Sequence, residues 1–306
     1  MNTSTYREES IYINFGNREQ LHMKRFCGAE KGTPVFLLHG SIENGKIFYS
    51  SSGKGLAPFL AQNVYDVFVA DLRGKGKSTR PISRSSRYGN YESITQEIPA
   101  FLDKITEIKG AMPLHWIAHS WGGVLLLCNY ARYQSSRLKI TSMVFFGVKR
   151  RISIRTFKKF FMVEFVYGLI LRIVGLLKGF VDAVIIGAGS DTETLKENRE
   201  TWQWIMKTSW VDTDGFDYGI ALPKITLPPA LYIAGSKDDV LGHPKDVQLL
   251  IEETGNQQAH KFYLASKKNG NLHDYDHINM LTHHDAVNDH FPMVVEWMRA
   301  QEKRAI

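Results

Sequence analysis

The stretch Ala118-His119-Ser120-Trp121-Gly122-Gly123 decides the fold, because it joins an apolar run at residues 114–117 to a helix-like run at residues 124–133. A serine on a sharp strand-to-helix turn takes a strained backbone conformation, so the side chains two places before and after it must be small. Ala118 and Gly122 meet this requirement, although glycine is more common at the first of these places. The stretch therefore predicts that Ser120 is a nucleophile.

Three further segments supply what such a serine needs. Residues 34–41 are an apolar strand that ends in His39-Gly40-Ser41. Residues 67–78 are a second apolar strand, which runs into the sequence Asp-Leu-Arg-Gly-x-Gly-x-Ser. Residues 231–238 are a third strand with Gly-x-x-Asp at its end, and Asp-Tyr-Asp-His follows at residues 274–277. Each motif is weak evidence alone, but the four together in this order are strong evidence that Ser120 is a nucleophile.

In motif order and spacing the chain resembles the α/β-hydrolase superfamily over nearly its whole length except the middle. The resemblance implies a catalytic triad of Ser120, Asp238 and His277, in the chain order serine, acid, histidine. In such a triad the histidine takes the proton of the serine, and the acid fixes the tautomer of the histidine. Asp239 stays open as an alternative to Asp238.

The histidine has alternatives too, because His273, His283 and His284 lie near His277 in the sequence. The family places its histidine in the loop before the final helix, and His277 fits that loop best. Histidines four apart beside aspartates also resemble metal ligands. No thiolate or Glu-x-x-His helix supports a metal site. We therefore expect no metal and no cofactor.

Acyl transfer builds negative charge on the former carbonyl oxygen, which needs hydrogen-bond donors. The resemblance implies that the backbone N–H groups of Trp121 and Ser41 form this oxyanion hole, with Ile42 as a substitute for Ser41. His39 and Gly40 are expected to contact the substrate.

Strand-like runs alternate with helix-like runs, which predicts parallel β-α-β units. The resemblance then implies an α/β class and an α/β-hydrolase fold: a mostly parallel eight-stranded sheet flanked by helices, with a helical cap inserted after strand six. The core domain comprises residues 1–148 and 226–306, and the cap comprises residues 149–225. The predicted strands are Ser10–Phe15, Leu21–Arg25, Pro34–Leu38, Val67–Asp71, Leu114–Ala118, Met143–Gly147, Ala230–Gly235 and Lys261–Ala265, and the predicted helices are Lys54–Gln62, Glu92–Lys109, Ser120–Tyr133, Pro244–Glu253 and Asp285–Ala300.

Most of the net charge of +7 belongs to one segment. Residues 149–190 hold eight basic and two acidic residues, a net charge of +6. Two interpretations stay open: a solvated helix face, or peripheral contact of a basic, apolar cap with an anionic membrane. A peripheral or lid helix pair is favoured over a membrane-crossing helix, because the uncharged stretches between Arg172, Lys178 and Asp182 are short. Nucleic acid binding is disfavoured, since the basic residues lie among bulky aliphatic ones.

The N-terminal residues 1–20 are polar, and the chain has two cysteines, Cys27 and Cys128. Neither feature favours export or a disulfide framework, so a cytoplasmic location is expected. The motifs together predict an esterase-like or lipase-like serine hydrolase, acting on small-molecule esters or lipids with apolar acyl chains. Acyl transfer or thioester cleavage on the same triad, and ligand binding without catalysis, remain alternatives.

Overall fold

An eight-stranded sheet forms the centre of the computed structural model, which describes residues 6–16, 19–133, 139–185, 187, 189–255 and 257–305. The sheet order is β1-β2-β4-β3-β5-β6-β9-β10; the contacts of β1 with β2 and of β2 with β4 are antiparallel, and the others are parallel. Its strands are β1 (Arg7–Asn14), β2 (Gln20–Cys27), β3 (Pro34–Leu38), β4 (Asp66–Asp71), β5 (Leu114–His119), β6 (Ile140–Phe146), β9 (Ala230–Gly235) and β10 (His260–Ala265). A separate antiparallel pair is formed by β7 (Phe180–Val181) and β8 (Glu193–Thr194). The predicted α/β-hydrolase fold is confirmed.

Helices cover both faces of the sheet, and every residue of β3, β4, β5, β6 and β9 is buried. The carboxyl ends of these parallel strands meet at one edge, which is where open α/β sheets place their ligands. The helices outside the segment between β6 and β9 are Leu56–Gln62, Asn90–Glu92 continued by Ser93–Glu97 and Ile98–Lys109, Trp121–Tyr133, Pro244–Glu253, Asn279–Thr282 and Phe291–Ala305.

The last helix begins later than predicted. Residues 284–288 form a 3₁₀ turn, and the α-helix runs from Phe291. Pro292 is the second residue of this helix, a position where its missing N–H group costs no hydrogen bond. The predicted start at Asp285 is therefore wrong, because helix-like composition extends through a separate turn.

Between β6 and β9 the chain leaves the sheet, and we call residues 149–225 the insert. One continuous helix, Phe157–Lys178, takes the place of the predicted helix pair; we call it the insert helix. It is 22 residues long, with a mean hydropathy of 2.1 in its most apolar window, of which 17% is buried. By length and composition it could cross a membrane, although Glu164 and Arg172 interrupt its apolar sequence. Such a helix can equally cover part of its own protein. The other insert helices are Leu195–Met206, Tyr218–Ala221 and the 3₁₀ turn Leu222–Lys224.

Residues 149–159, which we call the basic run, hold six basic residues. Three of them are buried, namely Lys149, Arg150 and Lys159. The Arg150 guanidinium donates to Glu253 at 2.9 Å and to the carbonyl oxygen of Trp204 at 2.8 Å. Arg150 therefore has its partners inside the protein. The run is therefore not one solvated or membrane-facing surface.

A buried ion pair joins the insert to the core. Lys75, in the loop after β4, lies 2.5 Å from the carboxylate of Glu197 in the insert. Glu193 lies in the same buried cluster and accepts a hydrogen bond from the hydroxyl of Tyr167 at 2.8 Å. Burial, together with the charge of Glu197, raises the pKa of Glu193 to about 7. Burial alone would lower the pKa of Lys75, but the neighbouring carboxylates raise it, so the ammonium stays charged.

Removing the Lys75 charge should therefore loosen the insert. Breaking a buried ion pair from one side costs about 3–5 kcal/mol, and we expect Lys75→Met to lower the free energy of unfolding by about this amount in chemical denaturation. Lys104→Met, which removes the surface pair with Glu107, is the control and should change stability by less than about 0.5 kcal/mol. Equal stabilities of the two variants would contradict the prediction.

Candidate active site

Ser120 has the strained backbone that its motif predicts, with φ at +49°. Its N–H group donates to the carbonyl oxygen of Phe146 at 2.9 Å, which fixes the turn between β5 and the following helix. A Cβ atom on Gly122 would lie 2.3 Å from the carbonyl oxygen of His39, and one on Gly40 would lie 2.8 Å from Cβ of Ser120. Three backbone segments therefore meet around the serine, at distances that only glycine allows.

Asp238 and His277 form a buried pair next to this turn. Nδ1 of His277 lies 2.6 Å from Oδ2 of Asp238. Burial is the main cause that lowers the pKa of His277, although Asp238 acts in the opposite direction. At neutral pH the imidazole is therefore uncharged, with its proton on Nδ1 and a free lone pair on Nε2. The neighbouring Asp239 is exposed and pairs with Lys158 at 2.8 Å.

A second histidine–carboxylate pair lies behind the first. Nδ1 of His119 is 2.6 Å from Oε1 of Glu43, and its Nε2 is 2.9 Å from the carbonyl oxygen of His277. Both partners are acceptors, an arrangement that favours the doubly protonated, cationic imidazole. Burial alone would lower the pKa of His119, but the Glu43 carboxylate raises it. Glu43 also accepts a short hydrogen bond from the N–H group of Gly40. The pair thus ties the loop after β3 to the loop that carries His277.

Among the described residues, the hydrogen bond on the Ser120 hydroxyl comes from Lys149. Its ammonium lies 3.2 Å from Oγ of Ser120, and the lysine is 5% exposed. Burial lowers the pKa of Lys149 to about 8. His277 faces the same cavity, and catalytic hydrogen bonds to a serine often tighten only when substrate is bound. Nothing in the sequence distinguishes Lys149 from the other basic residues of the segment 149–190.

The loop after β3 presents Ser41 and Ile42 to the cavity. The hydroxyl of Ser41 is buried without a hydrogen-bond partner in the described structure, and Ile42 has a positive φ of 48°. The carbonyl oxygen of Ile42 accepts from the N–H groups of Ser190 at 2.9 Å and Asp191 at 3.0 Å. The insert is therefore bonded directly to this loop. Trp121 begins the helix after the nucleophile, where backbone N–H groups have no partner within the helix.

His39 does not take the position expected for a substrate contact. Its ring is fully buried, and Nε2 accepts from the N–H group of Leu72 at 3.1 Å while Nδ1 lies 2.8 Å from the carbonyl oxygen of Gly40. The expectation that His39 contacts substrate is wrong, because its imidazole supports the loop from below. Gly40 allows its backbone to approach Ser120 closely, because it has no Cβ atom.

A cavity of about 680 Å³ opens above Ser120 and His277. Its walls are mostly apolar, and the insert supplies many of them. The apolar lining residues are Ile42, Ile47, Trp121, Ile152, Met162, Val163, Val166, Leu171, Ile205, Leu241 and Ile278.

The other histidines lie in a separate cluster. His273, His283 and Asp285 bring possible ligand atoms within 4.8 Å of one another, and His284 lies beside Asp285. Nε2 of His273 contacts the Asp285 carboxylate at 2.7 Å. These side chains are half-buried or exposed, and none of them contacts Ser120. They therefore do not replace His277 beside the serine.

Known families and structures match this chain at the level of fold. A family model described as alpha/beta hydrolase fold matches residues 33–164. A putative aryl esterase from Burkholderia cenocepacia is similar with a TM-score of 0.61 at 16% identity, over 96% of this chain and 100% of that one. An esterase from Thermogutta terrifontis is similar with a TM-score of 0.58 at 14% identity, over 96% and 99% of the two chains. A bacterial membrane phospholipase A gives 0.60 at 17% identity, over 97% and 87%.

The charge on His119 should depend on Glu43. We expect Glu43→Gln to lower the pKa of His119, measured by NMR titration of the imidazole. The raised pKa of His119 stabilises the fold fully below pH 6.5, its ordinary value, and the effect is lost as pH rises through the folded value. The lowered pKa of Glu43 stabilises fully above pH 4.5 and is lost as pH falls.

The stability difference between wild type and Glu43→Gln should therefore be greatest between about pH 4.5 and 6.5, and smaller on either side. Unfolding measured from acid to alkaline pH checks this, with Glu107→Gln as a surface control. A difference that does not vary with pH would show that the pair is not charged.

Proposed function

Because the chain belongs to the α/β-hydrolase superfamily, we propose that it is a serine hydrolase that cleaves carboxylic esters with apolar acyl chains. The observation that carries the proposal is the positive φ of Ser120 beside the buried Asp238–His277 pair, at the base of an apolar cavity. A strained serine next to a neutral, oriented imidazole is the arrangement that activates a hydroxyl group.

In the proposed reaction, Oγ of Ser120 attacks the ester carbonyl carbon, and its proton passes to Nε2 of His277. The tetrahedral intermediate then collapses, and His277 returns the proton to the oxygen of the departing alcohol. Water attacks the acyl-enzyme with His277 again as base. The carboxylic acid leaves, and the proton returns to Ser120. Asp238 holds the imidazole and stabilises its charge in both steps.

The negative charge of each intermediate requires donors close to the carbonyl oxygen. We assign this role to the backbone N–H groups of Trp121 and Ser41. The support for Trp121 is its place at a helix N-terminus, where the dipole favours an anion. The unpartnered hydroxyl of Ser41 offers a further donor in the same loop.

The insert is proposed to act as a cap, with residues 1–148 and 226–306 as the catalytic core. Val163, Val166 and Leu171 of the insert helix line the cavity above Ser120. Apolar walls of this kind bury an acyl chain, at about 0.8 kcal/mol for each CH₂ group removed from water. This favours an acyl or alkyl chain of several carbons over acetyl esters.

Labelling with a fluorophosphonate tests the nucleophile without a choice of substrate. Intact-mass spectrometry should find one adduct on the wild type and none on Ser120→Ala, because the reagent needs the activated hydroxyl. His277→Ala and Asp238→Asn should each slow labelling by about three to four orders of magnitude. Asp239→Asn is the matched control for Asp238→Asn and should label at the wild-type rate.

An unlabelled wild type, tested with and without detergent, would overturn the catalytic proposal in favour of a ligand-binding protein. If labelling succeeds, product analysis with added alcohols or acyl thioesters separates hydrolysis of esters from acyl transfer and thioester cleavage. The acid limb of the pH–rate profile should lie below pH 6.5, because the pKa of His277 is lowered.

The outer face of the insert helix is apolar and exposed. Phe157 is 82% exposed and Leu177 is 73% exposed. The exposed cation Arg155 lies just before the helix, Lys158 lies in its first turn and Lys178 in its last. Monomeric soluble proteins rarely expose a contiguous apolar patch of this kind, which suits a lipid surface. We infer that the insert rests on a membrane surface while its inner face covers the cavity.

Vesicle flotation tests this contact. We expect the protein to float with vesicles of phosphatidylcholine and to float more completely when phosphatidylglycerol is added. A Leu176→Ser/Leu177→Ser variant should bind less to both, because it removes about 3 kcal/mol or more of apolar transfer energy. The control variant Leu272→Ser changes an exposed leucine outside the insert. Equal flotation of wild type and double variant would contradict the inference.

A further inference from the structure

The Lys149 ammonium is the cavity group that the proposed mechanism leaves without a role. The lysine follows β6 at the edge where the strands end, and its side chain lines the cavity. An ammonium has three donors, and the hydrogen bond found here is the one to Oγ of Ser120 at 3.2 Å. A buried cation thus meets one neutral hydroxyl.

Each of the three carboxylates that attract this cation accepts hydrogen bonds from other groups. Asp238 is bonded to His277, and Glu43 is bonded to His119. The third, Asp246, accepts at Oδ1 from the N–H and hydroxyl groups of Ser153, at 2.8 and 2.5 Å, while its buried Oδ2 has no hydrogen-bond partner among the described residues. In the described part of the chain, none of the three forms an ion pair with Lys149. Each attracts the ammonium from a distance without occupying its donors.

A buried charge without a paired partner is costly, and it is normally paired or neutralised. Burial lowers the pKa of Lys149 to about 8, with the carboxylates opposing this effect. The group therefore still carries its charge at neutral pH. Its free donors lie in a cavity whose other walls are mostly apolar. The arrangement is complementary to an anion that enters from outside.

We propose that Lys149 binds a carboxylate of the substrate, so that the enzyme acts on esters with an apolar portion and a carboxylate close to the carbonyl that Ser120 attacks. This inference rests on the proposed function and adds a substrate class to it. Attack requires the serine oxygen about 3–3.5 Å from the carbonyl carbon, and an ammonium–carboxylate bond is about 2.7–2.9 Å long. With the ammonium 3.2 Å from the serine oxygen, the substrate carboxylate therefore lies within about 10 Å of the carbon under attack.

One ammonium suits a carboxylate better than a phosphate. Phosphate groups carry up to two charges and are usually held by several donors, such as arginine or a row of backbone N–H groups. The other lysine of the cavity, Lys46, is exposed at the rim. It is placed to attract an anion from solvent rather than to enclose one.

Matched pairs of substrates test the proposal. We suggest the 4-nitrophenyl monoesters of succinic, adipic and suberic acids, each compared with the neutral compound in which the free carboxyl group is a methyl ester. For wild type, we expect kcat/KM to favour the free acid at least tenfold in one or more pairs. Lys149→Met should reduce that preference at least tenfold, and Lys149→Arg should retain part of it. Lys104→Met serves as the surface control.

The preference should also fall as pH rises through about 8, because Lys149 then loses its proton. The charged or titratable groups around it are Asp238, Asp246, Glu43, His277 and His119. The pKa values of Asp238, Glu43 and His277 are all lowered, away from this range. The pKa of His119 is raised, toward this range, so a change of substrate preference near pH 8 is assigned to the lysine only if it is absent from Lys149→Met.

Two outcomes would overturn the proposal. An equal preference in wild type and Lys149→Met would show that the ammonium does not contact substrate. Loss of activity on both substrates in Lys149→Met, together with wild-type rates on both that rise as pH increases through 8, would indicate that the lysine is a general base instead. Each variant is first checked for fluorophosphonate labelling, so a misfolded protein is not misread.

A binding measurement keeps this proposal separate from the catalytic one. Calorimetry on Ser120→Ala compares monomethyl adipate with dimethyl adipate, and needs no turnover. We expect the monoanion to bind at least tenfold more tightly, and the advantage to disappear in Ser120→Ala/Lys149→Met. If the wild type is not labelled but this difference persists, the cavity is a carboxylate-binding site without the proposed chemistry. If labelling succeeds and the difference is absent, the role of Lys149 is wrong.

Discussion

The positive φ of Ser120 is the constraint on which the rest of the site depends. A serine holds this conformation only where the surrounding backbone compensates the strain. Gly40 and Gly122 allow the β3 loop and the helix after β5 to approach within distances that a Cβ atom would forbid. The N–H group of Ser120 is in turn held by the end of β6. Three neighbouring parallel strands therefore cooperate to present one hydroxyl group.

Much of this arrangement could be predicted from the sequence, because it depends on short, local residue patterns. Continuous apolar runs that stop at defined residues allowed β3 and β9 to be predicted with their observed bounds. Glycines in such a turn indicate that backbone segments approach closely there. Ser120, Asp238 and His277 could be grouped because their motifs and chain order resemble those of the α/β-hydrolase superfamily.

What could not be predicted depends on side-chain direction in the folded chain. Lys149 stands first in a basic run, and nothing in its neighbours shows that it turns inward to Ser120 while Arg155 stays exposed. Glu43 and His119 lie 76 residues apart, so their pairing has no local signal. His39 was misplaced for the same reason: the motif locates the residue but not the direction of its ring. The insert lies outside the family motifs, and the charges that interrupt its apolar sequence predict two helices where the structure has one.

The bonds from Ser190 and Asp191 to the carbonyl oxygen of Ile42 have a mechanical consequence. The loop that would receive the oxyanion shares its backbone hydrogen bonds with the segment that covers the cavity. Displacing that segment would release the loop from the contacts that hold Ile42 in its left-handed conformation. Entry of a ligand and alignment of the oxyanion donors would then be coupled to the same conformational equilibrium. A substrate large enough to keep the segment displaced would also misalign these donors.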